Sequence, residues 1–204
     1  MSKLQGVKEK LHWPIYDAFF VKDEPEKKFT DFMTDPRVIR FYVDVQGKTP
    51  LETNLQASGV LPSLNTFEAR ALRVVVSNLR FTSKEKPVAS NLNEAEILAD
   101  LIYNSVTSLI VGEKVMISMP TFGFPSGAGV SPGFPTVSNH GEPNPMATFR
   151  FAEPVEITAQ QNFRVEMSFP QGVPGKGDRR QLADVTGPFR IWVVLDGYLT
   201  RDVQ

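Results

Sequence analysis

The feature that most constrains this chain is a period of two in its apolar residues. Residues 162–169 (NFRVEMSF) place Phe163, Val165, Met167 and Phe169 on one face and Arg164, Glu166 and Ser168 on the other. Successive side chains of a strand point to opposite faces, so this is the pattern of a half-buried strand. Residues 38–45 (VIRFYVDV) alternate less cleanly but are β-branched and aromatic, which predicts another strand. Residues 67–81 form a longer run with a break expected at Ser77-Asn78. Residues 147–151 and 155–159 flank Glu153-Pro154, where proline marks an edge or a kink between two short strands. Residues 106–111 and 114–119 flank Gly112-Glu113, which predicts a hairpin whose glycine takes a positive φ. Asp196-Gly197, between residues 189–195 and 198–203, predicts a second hairpin. One helix is expected. Asn91 can cap it, Glu94 follows three residues on, and Leu92, Ala95, Leu98, Leu101 and Ile102 recur at helical spacing up to about Ser105. Eight or nine short strands and one helix predict an all-β sandwich or barrel.

With 204 residues the chain has room for one domain with appendages, and it buries enough surface to fold without staples. A hydrophobic fraction of 41% excludes a wholly disordered or coiled-coil chain. The net charge of −1 provides no global attraction to nucleic acid or anionic lipid. There is no cysteine, which removes disulfides, thiolate metal sites and cysteine nucleophiles. The longest unbroken apolar run, residues 191–195, is far below the roughly 20 residues of a membrane span. The first twenty residues lack an apolar stretch followed by a small-residue cleavage site, so no secretory signal is expected.

Three segments exceed what a minimal sandwich needs. Residues 1–34 mix charge with Trp13, Ile15, Tyr16, Phe19 and Phe20, too polar for a core and too aromatic for a solvated tail; they are read as an N-terminal arm, with residues 35–204 as the domain. Residues 120–146 are rich in proline and glycine, with Phe122, Phe124 and Phe134 interleaved, and are read as a long functional loop. Residues 171–187 are polar and Gly-rich, and an exposed loop is expected. The aromatic residues of the arm either fold back on their own sandwich or dock on a neighbouring subunit, where such anchors supply most of the interface energy. Burial of four of them contributes on the order of 6–12 kcal/mol before ordering costs. A membrane-surface arm is disfavoured by Asp17, Asp23, Glu24 and Glu26. Trp13, Tyr16, Phe19, Phe20, Phe122, Phe124 and Phe134 are therefore the candidate subunit-interface residues.

Catalytic chemistry finds little support. The two histidines are His12 and His140. A β-barrel metal enzyme needs two or three histidines and a carboxylate on facing strands, and His140 with Glu142 offers only one pair, inside a proline-rich loop. Gly-x-Ser-x-Gly is absent, and Ser126 and Ser131 sit among prolines rather than on a strand-to-helix elbow. Gly127, Gly129 and Gly133 miss the dinucleotide spacing, and Pro132 stands where a helix must run. Gly175-Lys176-Gly177 is no phosphate loop, and the basic cluster Lys176, Arg179 and Arg180 is diluted by Asp178 and Asp184. No catalytic residue, cofactor or metal ligand is assigned, and an enzyme is not expected.

Residues 53–62 (TNLQASGVLP), running through Asn65-Thr66-Phe67 into a long strand, stand out beside 109–115 (LIVGEKV) before a proline/glycine loop, 151–157 (FAEPVEI) leading to 161–165 (QNFRV), and the ending 191–201 (IWVVLDGYLTR). In that order they resemble the early, middle, later and closing strands of the jelly-roll capsid proteins of tailless icosahedral bacteriophages. The resemblance implies an eight-stranded jelly roll of the single type, with a short helix, an N-terminal arm and a long Pro/Gly-rich loop. It implies a virion shell protein, assembled in the host cytoplasm, whose main partner is other copies of itself. It leaves room for a second coat protein and an internal viral membrane, and implies no sequence-specific nucleic acid. Two other classes stay open: a carbohydrate-binding β-sandwich with loop aromatics stacked on sugars, and a cupin-like or glycosidase enzyme.

Overall fold

A computed structural model describes residues 7–76, 94–129, 142–144, 146–175, 182–185 and 187–202. Its strands are β1 (Lys8–His12), β2 (Ile15–Val21), β3 (Val38–Phe41), β4 (Thr66–Val76), β5 (Val106–Val111), β6 (Lys114–Pro120), β7 (Ala128–Gly129), β8 (Glu142–Pro143), β9 (Phe149–Ile157), β10 (Phe163–Ser168) and β11 (Phe189–Asp202). One α-helix, α1 (Glu94–Tyr103), precedes β5. The first sheet runs β1-β11-β4-β9, with β2 also on β11; the second runs β3-β10-β5-β6, and both are antiparallel throughout. β7 and β8 form a separate two-stranded ribbon.

The alternating pattern does what strand geometry requires. Phe163, Val165, Met167 and Phe169 are all buried, and across the ladder Val111, Leu109 and Thr107 lie on the same inner face. From the first sheet Ile191, Val193 and Leu195 of β11 and Phe67, Leu72 and Val74 of β4 meet them in one core. The chain is thus an all-β sandwich with its apolar faces turned inward. Phe29 fills the space beside β2, stacked on Phe189 at 5.9 Å between ring centroids and edge-on to Phe19 at 5.8 Å. The Gly112-Glu113 hairpin forms as expected, with Gly112 at φ 61° between β5 and β6.

Elsewhere the strands depart from the sequence reading. The residues read as a second hairpin form the single fourteen-residue strand β11. Asp196-Gly197 is not a turn; it stands opposite a bulge in β4, where Arg70 is the extra residue. A Cβ at Gly197 would collide with the carbonyl oxygen of Glu68, so this glycine permits a close approach of two backbones. Residues 147–151 and 155–159 likewise join into one strand, β9. Its register slips between Ala69 and Ala71 of β4, so that residues 151–154 bulge out around Pro154 at an edge that needs no N–H. The run at residues 38–45 stops at Phe41, because Tyr42 turns into the left-handed region at φ 70°. Helix α1 matches its expected position; its predicted cap Asn91 and the break at Ser77-Asn78 lie outside the described residues.

The segment read as an arm is built into the sandwich from Lys8 onward. β2 pairs with residues 189–195 of β11 and β1 with residues 198–202, so the two run end to end along one side of that strand. Of the loop expected to be exposed at 171–187, Leu182 and Val185 are buried, and the Val185 carbonyl accepts the Phe29 N–H at 2.8 Å. Two leucine- and valine-sized groups in an otherwise polar stretch are enough to pull it inward. Lys176, Arg179 and Arg180 lie outside the described residues.

Candidate functional site

Sheet edges are where such a sandwich meets other molecules, and most are blunted or polar; β1, which among the described residues pairs with β11 alone, reads KEKLH. The β2 edge is roofed by residues 49–54: Asn54 accepts the Tyr16 N–H at 3.0 Å and donates to the Pro14 carbonyl at 2.8 Å, while Thr53 bridges Asp17. β9 carries Pro154 and its bulge, and β3 is only four residues long. β6 is different. It pairs with β5 on one side and, among the described residues, with no strand on the other. Val115 and Met116 are exposed on it, because a register shift between Leu109 and Ile110 leaves Met116 as the extra residue.

At the far end of β6 a buried hydroxyl cluster fixes two aromatic rings at the surface. Ser105 donates to the Leu101 carbonyl at 2.6 Å, closing α1, and its hydroxyl lies 2.6 Å from that of Thr121, which is 2.8 Å from Thr107. The Thr121 N–H also donates to the Ser105 carbonyl at 3.0 Å. Helix end, β5 start and β6 end are thereby locked together. Tyr103 and Phe122 emerge side by side, ring centroids 5.6 Å apart, at 67% and 54% exposure. Exposed apolar groups clustered on one edge are the usual mark of an interaction surface.

The seven aromatic candidates separate. Trp13, in the two-residue break between β1 and β2, is 48% exposed and Phe122 joins the edge just described. Tyr16 is half-buried and donates its hydroxyl to the Pro50 carbonyl. Phe19 packs on Phe29, and Phe20 lies under the Arg190 guanidinium at 3.8 Å from its ring centroid. Phe124 is fully buried against Phe149, so in this fold it serves the chain's own core. Phe134 and His140 lie outside the described residues. Tyr103, Val115 and Met116 were not singled out from sequence. The signal available was the run VMISM in residues 115–119, apolar on both faces where a solvated edge alternates.

Beside these surfaces lie two polar features. Asp17 occupies an inward position of β2, opposite Val193, and is fully buried. Its carboxylate accepts the Tyr42 N–H at 2.7 Å and the Lys48 ammonium at 2.8 Å on each oxygen. Burial raises its pKa above the ordinary 3.8, against the lowering effect of Lys48. Tyr42, also fully buried, donates to the Val193 carbonyl at 2.9 Å and the Ile15 carbonyl at 3.2 Å, and burial pushes its phenol up. The second feature is a hollow of about 480 Å³ on the outer face of the first sheet, lined among others by Ala71, Gly197, Tyr198, Phe151 and Arg150. His12 reaches this hollow, 5.6 Å from the Tyr198 ring. Among the described residues no three His, Cys, Asp or Glu side chains converge.

No protein-family model, curated protein or solved structure matches the chain. What defines its class is the fold itself, a two-sheet antiparallel sandwich whose β6 edge, among the described residues, is open and apolar.

Proposed function

We propose that the chain is a virion shell subunit, a single jelly roll that assembles with copies of itself. The strand order carries this reading. If β2 to β6 and β9 to β11 are numbered one to eight along the chain, the sheets read 1-8-3-6 and 2-7-4-5. That interleaving is the one produced by rolling an antiparallel hairpin ribbon into a sandwich, the architecture of capsid and lectin jelly rolls. The fold is shared among functions, so the choice rests on surfaces. The open β6 edge with Val115 and Met116, and the Tyr103–Phe122 pair beyond it, supply exposed apolar surface for the repeated contacts that a lattice needs. Modest contacts summed over many neighbours hold a shell together. A net charge of −1 keeps repulsion among copies small. The virion, after assembly in the host cytoplasm, is the proposed location, with a second coat protein and an internal viral membrane as further neighbours. The reading assigns no catalytic residue.

Light scattering and electron microscopy of the concentrated protein test it: discrete, concentration-dependent particles are expected, and a monodisperse monomer at high concentration overturns the reading. The double variant Met116→Lys, Phe122→Ser is expected to raise the assembly concentration about tenfold or more, as loss of an interface anchor does. Both positions are exposed, so the thermal midpoint should move by no more than about 2 °C.

A further inference from the structure

We propose that the hollow on the outer face of the first sheet binds an acidic saccharide, a sugar ring carrying a carboxylate or a sulfate. The inference stands apart from the shell reading and survives if that reading fails.

The hollow exists because two irregularities coincide. Arg70 is an extra residue of β4 against β11, and on the other side residues 151–154 of β9 stand opposite that same residue. The outer face carries only small groups at Ala71 and Gly197, and Phe151 and Pro154 from the bulge of β9 also line the hollow. The resulting volume of about 480 Å³ falls within the range of small-molecule sites.

Among the side chains that line it, Arg70 and Arg150 outnumber the single carboxylate Asp196. Arg73 and Asp196 neutralise each other through two contacts, Nε–Oδ2 at 2.5 Å and Nη2–Oδ1 at 3.0 Å. Arg70 pairs with Glu68 at 2.8 Å, and Lys10 shares that same carboxylate, so two cations meet one anion there. The Arg70 guanidinium lies 5.1 Å from the Tyr198 ring centroid, which holds it beside the hollow. Arg150 is exposed and, among the described residues, has no ion-pair partner. A guanidinium without a partner on the wall of a concave site selects a planar or tetrahedral oxyanion.

The remaining groups ask for more than an anion. Asp196 keeps lone pairs free for hydroxyl donors, since each carboxylate oxygen accepts about two hydrogen bonds and Arg73 takes one from each. Thr148 adds a hydroxyl, and Phe151 and Pro154 supply apolar surface for the C–H face of a ring. An inorganic anion would engage the arginines and leave those groups idle. A ring with hydroxyls and one acidic substituent uses all of them.

Isothermal titration and saturation-transfer difference NMR on the full chain test the proposal, and both work whether or not it assembles. The probes are N-acetylneuraminic acid and glucuronic acid for the carboxylated arm, N-acetylglucosamine 6-sulfate for the sulfated arm, with glucose and inorganic sulfate as controls. Saturable binding of an acid from either arm is expected, with both controls at least about tenfold weaker. Arg150→Ala should weaken it roughly ten- to a hundredfold, the scale of a charge-assisted hydrogen bond, and leave the thermal midpoint in place; Arg150→Lys should fall between. Glucose binding as tightly as the acids, sulfate binding as tightly as the acids, full affinity in Arg150→Ala, or no binding of any acid each overturns it.

Discussion

Asp17 and Tyr42 show how single residues fix the chain's path between the two sheets. Asp17 sits where the β2 pattern calls for an apolar side chain, between Ile15 and Phe19 on the inner face. Its carboxylate captures the Tyr42 N–H and the Lys48 ammonium, drawing the chain after β3 across the end of the sandwich. Tyr42 returns the contact through its hydroxyl to Val193 and Ile15, which offsets a left-handed backbone that costs a bulky residue about 1–3 kcal/mol. Removing one partner of a buried pair strands the other, so Asp17→Ala should cost about 3 kcal/mol in denaturant unfolding. That is the lower end for such pairs, because Lys48 still reaches solvent. The pH dependence has a definite sign. A carboxyl whose folded pKa is raised binds its proton more tightly folded than unfolded, so its contribution is fully present below the ordinary value near 3.8. That contribution is lost as pH rises through the folded value. Asp17→Asn keeps an acceptor for Tyr42 and cannot titrate. The stability of the wild type relative to Asp17→Asn should therefore fall as pH rises across that window; a relative stability that climbs with pH would refute the assignment.

At the scale of elements, the legible strands are those whose two faces see different solvents. β10 alternates cleanly because its outer side chains Arg164, Glu166 and Ser168 face outward beside an apolar inner row, and the β5–β6 hairpin announces itself through a glycine that needs positive φ. β11 was obscured by chemistry that a turn and a bulge share. Asp-Gly is the strongest local turn signal, but a glycine is also what lets two backbones touch, and only the partner strand decides which applies. The two roles predict opposite responses. Asparagine is tolerated in a turn with positive φ, whereas any side chain at Gly197 meets the Glu68 carbonyl. Gly197→Asn should thus be as damaging as Gly197→Ala, about 1–3 kcal/mol by overpacking, measured as a lowered denaturation midpoint. A neutral asparagine would restore the hairpin. The hollow beside this bulge was illegible for the same reason. His12, Arg70, Arg150 and Asp196 come from four strands far apart in sequence, with Thr148 just ahead of β9, and no spacing rule joins them.

For the whole molecule, the placement of residues 8–21 decides which surfaces stay open to the neighbouring copies that the proposed shell requires. A detached aromatic arm would reach outward and clasp another subunit. Here β1 reads KEKLH, a polar strand whose charges are met in place by Glu68 and Arg201, and β2 lays Ile15 and Val21 into the core. Charge in the sequence concealed a strand because its outer partners are themselves charged. Burying Ile15 and Val21 contributes about 1.5–3 kcal/mol each, and with the full β2 ladder and the Phe19–Phe29 contact this rivals the roughly 5–15 kcal/mol that holds a domain folded. Deleting residues 1–21 should therefore abolish cooperative thermal unfolding, whereas deleting residues 1–6 should leave it intact. A folded, assembly-defective protein after the longer deletion would return the segment to the role of an arm. If it instead unfolds, the contacts of a shell fall to surfaces that remain exposed once the sandwich is closed. The β6 edge and the Tyr103–Phe122 pair would then have to supply them, and assembly should respond to Met116→Lys, Phe122→Ser while the core stays as stable as before.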